Sequence, residues 1–156
     1  VGNDISVALN ANGVLKIRTL NITDDGVVIL HGNYNTGDAG DALTTYIGEG
    51  GINIAENKTG YYCVENRKHQ STLRPLNSNF TFGKGSNTDY DFLIGKESSG
   101  DINFTFHTDD EHGDAREITL AARVCTEKNT SSITVKGGGT LYSGRGYILK
   151  DETEEY

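Results

Sequence analysis

The chain has 156 residues, 35% of them hydrophobic, with 20 glycines, one proline, no methionine or tryptophan, and a formal net charge of −8. That length suits one domain spanning residues 1–156. The acidic balance, with no run of Lys and Arg, argues against a nucleic-acid partner. No stretch of about eighteen apolar residues is present to form a membrane-spanning helix.

Alternation of apolar and polar residues dominates from the start. "ISVALNA" (residues 5–11) sets Ile5, Val7 and Leu9 on one face, and residues 1–12 read as a candidate extended N-terminal arm. The pair Asn12-Gly13 predicts a hairpin turn, because both residue types tolerate positive φ. "VLKIRTLNI" follows, and "DDG" leads into "VVILHG". A loose segment, "NYNTGDAGDA" (residues 33–42), reads as a surface loop. Strand phrases then resume as "LTTYIG", "GINIAE", "GYYCVEN", "STLRPL", "NFTFGK", "DFLIGK", "DINFTFHT", "REITLAARVC", "SSITVKG" and "GYILK". The best helix candidate, "DDEHGDAREITLAARV", is interrupted by Gly113 and pulled toward strand by its β-branched residues. The end, "KDETEEY" (residues 150–156), reads as a solvated acidic tail.

The predicted fold is therefore all-β: many short antiparallel strands with Gly, Asn and Asp turns, either sandwich-like or an intertwined trimeric fibre domain. Strand spacing shows no fixed period, which argues against a regular solenoid. The phrase "NFTF" occurs twice, placing Phe80 and Phe82 on one strand face and Phe104 and Phe106 on another. The scarcity of apolar residues predicts that these rings complete a core shared with a neighbouring copy.

Candidate chemistry is sparse. Asp109, Asp110 and Asp114, with Glu111 and His112 between them, offer oxygens of the kind calcium takes, but not at EF-hand spacing. A solvated turn is the preferred reading of this run, and no metal or other cofactor is expected. The four histidines form no close ligand pair, and "YSGRG" lacks the nucleophile-elbow spacing. "GKGSNT" is not a phosphate loop. No catalytic residue is singled out, and a non-enzymatic protein is expected. Cys63 and Cys125 lie in strand-like runs and read either as one disulfide or as two buried thiols. Eight tyrosines and five phenylalanines remain. Aromatic rings beside Asn and Asp suit sugar recognition, and Tyr61, Tyr90, Tyr142 and Tyr147 are the candidate receptor or glycan-binding residues. Sequons occur at Asn21, Asn57, Asn79, Asn103 and Asn129, a pattern that polar strand faces also produce. The chain begins at Val1 without a Met and without a visible signal peptide, which reads as a processed chain or an excised fragment.

"LNANGVLKIRTLNITDDGVVILHGN" (residues 9–33), "STLRPLNSNFTFGKG" (residues 71–85) and "DFLIGKESSGDINFTF" (residues 91–106) resemble the strand-and-turn modules of bacteriophage tail fibres. The resemblance covers about the first two thirds of the chain. It implies a homotrimer, β-structure intertwined about a threefold axis, a place on the virion, and attachment to a host cell-surface glycan or protein. It assigns no individual receptor-binding residue. A competing reading is an extracellular pilus subunit with a sandwich fold, in which the N-terminal strand is donated to a neighbour. "REITLAARVC…GYILK" carries that alternative. A polysaccharide hydrolase is a third, minor reading.

Overall fold

A computed structural model describes residues 5–8, 14–22, 27–31, 42–54, 60–65, 70–83, 92–94, 103–121, 123–126, 132–142, 147–150 and 154–155. Side chains are described over residues 14–21, 44–53, 72–83, 104–121 and 133–142. No described residue is helical. The strands are β1 (Ile5–Ala8), β2 (Val14–Ile22), β3 (Val27–His31), β4 (Ala42–Ile54), β5 (Gly60–Glu65), β6 (Gln70–Pro75), β7 (Phe80–Phe82) and β8 (Phe92–Ile94), followed by β9 (Asn103–His107), β10 (Glu117–Leu120), β11 (Arg123–Thr126), β12 (Ser132–Lys136), β13 (Thr140–Tyr142), β14 (Tyr147–Lys150) and β15 (Glu154–Glu155).

The pairing of these strands overturns the antiparallel, sandwich-like expectation. Every strand pair is parallel except β14 with β15. β1 and β2 do not form the expected hairpin, and Asn12-Gly13 lies outside the described residues: β1 pairs with β3, and β2 pairs with β4. The chain therefore winds as a coil, each strand lying beside the one a turn later. The sheets curl into a nearly closed, barrel-like arrangement. One wall stacks β1, β3, β5, β8, β11 and β14. A second stacks the first half of β2, the first half of β4, β6, β9 and β12. The third stacks the second halves of β2 and β4 with β7, β10 and β13.

In the parallel pairs, partner residues lie from 23 positions apart (Ile5 with Val28) to 38 apart (Phe82 with Leu120). The repeat is thus spatial, with connections of unequal length between matched strands. A search for one fixed period does not find it. Alternation within a strand looks the same for parallel and antiparallel neighbours, so it carried no information on direction.

The inward rows explain why the strands stack in this register. On the second wall, Leu15, Thr45, Leu73, Phe106 and Val135 lie in line, and Phe104 lies over Ile133. On the third wall Leu20, Ile52, Phe82 and Leu120 form the matching row, with Phe80, Ile118 and Leu141 beside it. A slip of one residue would turn each row outward. Phe80, Phe82, Phe104 and Phe106 are all buried within this single chain, which corrects the expectation of a core shared between copies. Phe106 packs edge-on against Phe104 (centroids 5.1 Å, 72°) and against Phe82 across the walls (6.1 Å, 74°). Such edge-to-face pairs add about 0.5–1.5 kcal/mol beyond the area they bury. Val135, last in its row, is 50% exposed.

Candidate functional site

The outward face of the second wall carries two straight rows. Since side chains alternate along a strand, residues flanking the inward row face out. The first row runs Val14, Thr44, Thr72, Thr105 and Thr134, in register from β2 to β12. Two residues further along each strand, the second runs Lys16, Tyr46, Arg74, His107 and Lys136. Neighbouring strands are about 4.8 Å apart, and residues two apart on one strand about 6.6 Å. The face is therefore a grid of hydroxyls beside cationic and aromatic groups.

Local contacts hold the second row upright. The Tyr46 ring lies between Lys16 Nζ at 5.5 Å and the Arg74 guanidinium carbon at 5.2 Å from its centroid. Each such cation–π contact contributes about 0.5–1 kcal/mol at an exposed site. Lys16 also binds Glu111 Oε2 at 2.7 Å, and that carboxylate raises the Lys16 pKa. Arg74 donates from Nε to the Asp109 carbonyl (3.0 Å) and from Nη2 to the Asp110 carbonyl (2.8 Å). His107 Nδ1 accepts the Asp109 N–H at 3.2 Å. Burial first, then the positive charges of Arg74 and Lys136, lower the His107 pKa against the opposing pull of Asp109. The imidazole is thus neutral at pH 7 and carries its proton on Nε2.

The loop at residues 108–116, between β9 and β10, borders this grid, and its organiser is Asp110. Its side chain is fully buried. Oδ1 accepts the His112 N–H (2.8 Å) and the Asp114 N–H (3.0 Å), while Oδ2 accepts Arg116 Nε–H at 2.9 Å. The Asp110 N–H in turn reaches the Asp114 carbonyl. These donors, led by Arg116, outweigh the burial and hold the Asp110 carboxyl down at about 2. The solvated-turn reading of this run is therefore corrected: one of its carboxylates is the buried centre of the loop. Asp109 Oδ1 is engaged by the Gly138 N–H at 2.8 Å, so two of the three candidate calcium ligands already serve the protein backbone. Among the described residues no group of three or more His, Cys, Asp and Glu side chains converges on a metal position. At the next corner Gly137 has φ 112°, and a Cβ there would lie 2.5 Å from Thr108 Oγ1.

Beside the loop, at the corner joining the second and third walls, Arg18, Gly48, Glu49, Leu76 and Asn77 line an open groove of about 300 Å³. Arg18 Nη2 and Glu49 Oε1 pair across its rim at 2.7 Å. The volume is at the small end for ligand sites.

The structure does not bring the three described tyrosines of the predicted four onto one wall. Tyr142 is 56% exposed on the third wall. Tyr61 (β5) and Tyr147 (β14) belong to the first wall, with β8 and β11 between their strands. Tyr90 lies outside the described residues, as do the sequons at Asn57 and Asn129. Cys63 and Cys125 sit on β5 and β11, two strand spacings apart with β8 between them. Strand spacing alone then separates them by about 9–10 Å, beyond the roughly 7 Å that a disulfide can span. None of the residues forming the grid is among the site candidates read from the sequence. The signal was present as a recurring triplet: "TTY", "TLR", "TFH" and "TVK", each a Thr, an inward residue and a cationic or aromatic one.

Comparison with protein-family profiles, with curated proteins and with solved structures returned no match.

Proposed function

We propose that the chain is a non-enzymatic attachment module of a viral tail fibre, which binds a host cell-surface glycan through the outward grid of its second wall. The grid itself carries this reading. Hydroxyls in one row and Tyr, Arg, His and Lys in the next repeat along the coil axis at a spacing close to the length of one sugar ring. A polysaccharide lying along that axis meets, from β4 to β12, a Thr hydroxyl and beside it a Tyr, Arg, His or Lys side chain. The sequence resemblance to tail-fibre modules supports the same reading, which includes a location on the virion and self-association as a trimer. Val14, Val135 and Tyr142, each half exposed, are available for contact between copies. The pilus alternative draws less support, because a donated first strand must be free, whereas β1 is already bonded to β3 along four residues.

The test is adsorption of the purified, fluorescently labelled protein to bacterial cells, with extracted surface polysaccharide as competitor. Saturable adsorption that the polysaccharide abolishes is expected. The double substitution Thr72→Val/Thr105→Val, which keeps shape and strand preference but removes two hydroxyls, is expected to weaken adsorption by about fivefold or more. Adsorption that this variant leaves unchanged, or that no surface polysaccharide competes for, overturns the proposal.

A further inference from the structure

Resting on that reading, we infer that the grid selects acidic glycans, with an oxyanion (carboxylate, sulfate or phosphate) seated against Arg74, His107 and Lys136. The argument begins with charge. On a chain with a net charge of −8, the five-residue row Lys16, Tyr46, Arg74, His107, Lys136 contains no acidic residue. Most described cations around it are neutralised: Lys16 by Glu111, Arg18 by Glu49 and Arg116 by Asp110. Arg74 and Lys136 have no carboxylate within ion-pair distance among the described residues. The two hydrogen bonds from Arg74 go to carbonyl oxygens, which fix the guanidinium in place without cancelling its charge.

His107 lies on the strand between these two cations. Its Nδ1 is occupied by the Asp109 N–H, which leaves Nε2–H as a neutral donor. Three consecutive strands therefore present, in line, the unused nitrogen of an oriented guanidinium, an imidazole N–H and an ammonium. Arg74 and Lys136 stand two strand spacings apart, about 9–10 Å, with the neutral imidazole between them. Of the carboxylates nearest the row, Glu111 is paired with Lys16 and His112, while Asp109, held by the Gly138 N–H, keeps its charge and offsets only part of the positive row. An anion from outside, with its sugar hydroxyls over Thr105 and Thr134, meets two cations and an imidazole N–H and supplies the countercharge that Asp109 alone does not.

Calorimetric titration with polygalacturonate, dextran sulfate and polyphosphate separates the three oxyanions, with neutral dextran and duplex DNA as comparators. At least one acidic polymer is expected to bind, more weakly as salt rises, while dextran does not. Lys136→Glu, at an exposed position, is expected to reduce that affinity at least about tenfold. His107→Leu is expected to weaken it, and His107→Gln, which keeps an N–H donor, to restore most of it. Equal binding of dextran, or affinities untouched by Lys136→Glu and His107→Leu, overturns the inference, as does duplex DNA binding as tightly as the best acidic glycan. Cell adsorption without acidic-polymer binding overturns this inference and leaves the attachment reading standing. Acidic-polymer binding that depends on Lys136, without cell adsorption, does the reverse.

Discussion

Arg116 places Nε 2.9 Å from Oδ2 of Asp110, a carboxylate with no exposed surface. The pair fixes a nine-residue loop that also grips Arg74, so it couples the corner to the outward face of the second wall.

Asp110→Asn removes the charge that Arg116 and two backbone N–H groups are oriented to meet. Breaking a buried pair from one side leaves the other partner uncompensated, so melting temperature is expected to fall by roughly 5 °C or more. The pH dependence has a definite sign. The folded carboxyl is held at about 2, below its ordinary 3.8, so its stabilisation is complete above that ordinary value and is lost as pH falls toward 2. Thermal melts between pH 5 and pH 2 are expected to fall steeply in the native chain and less steeply in the variant.

Thr45→Val is expected to stabilise. Thr45 is buried in the inward row between Leu15 and Leu73, and its hydroxyl has no hydrogen-bond partner among the described residues. Replacing the hydroxyl by a methyl group relieves an unmet polar atom, a gain of about 1 kcal/mol. Denaturant midpoints of the two proteins measure it.

Phe106→Ala is expected to cost about 3–5 kcal/mol. The ring is fully buried and touches Phe104 and Phe82, so its loss opens a cavity at the meeting of two walls. Because that contact lies within one chain, the loss measured by chemical denaturation is expected to be independent of protein concentration.

Gly137→Ala and Gly113→Ala form a matched test of strain against clash. Both glycines have positive φ, 112° and 84°. A Cβ at Gly113 meets nothing within 4 Å, whereas one at Gly137 runs into Thr108 Oγ1 and backbone nitrogens. Gly113→Ala is expected to cost about 1 kcal/mol, from backbone strain alone. Gly137→Ala is expected to cost clearly more and to loosen the loop, which hydrogen exchange at Gly139, whose N–H bonds Thr108 Oγ1, reports.

The chain's alternation made its strands legible, and the two "NFTF" phrases placed the phenylalanines on buried faces as the structure has them. Direction was not legible, because a strand with one buried face reads the same beside a parallel or an antiparallel partner. The triplets from "TTY" to "TVK" were in plain view, yet unequal connections between them hid their alignment. Asp110 looked like its acidic neighbours, since the feature that distinguishes it is a guanidinium six residues on, brought near only by the turn. For the tyrosines, ring chemistry was legible, but not which wall each of Tyr61, Tyr142 and Tyr147 belongs to.

One corner of the coil accepts inserts of very different size. The connection from the second wall to the third uses four residues after β6, nine after β9 and three after β12, while the strands on either side stay in register. Chain length at that edge is decoupled from the packed interior. Mutation can therefore lengthen, shorten or replace a rim loop without disturbing the rows of the wall beside it. The outline of that edge can vary faster than the architecture that carries it.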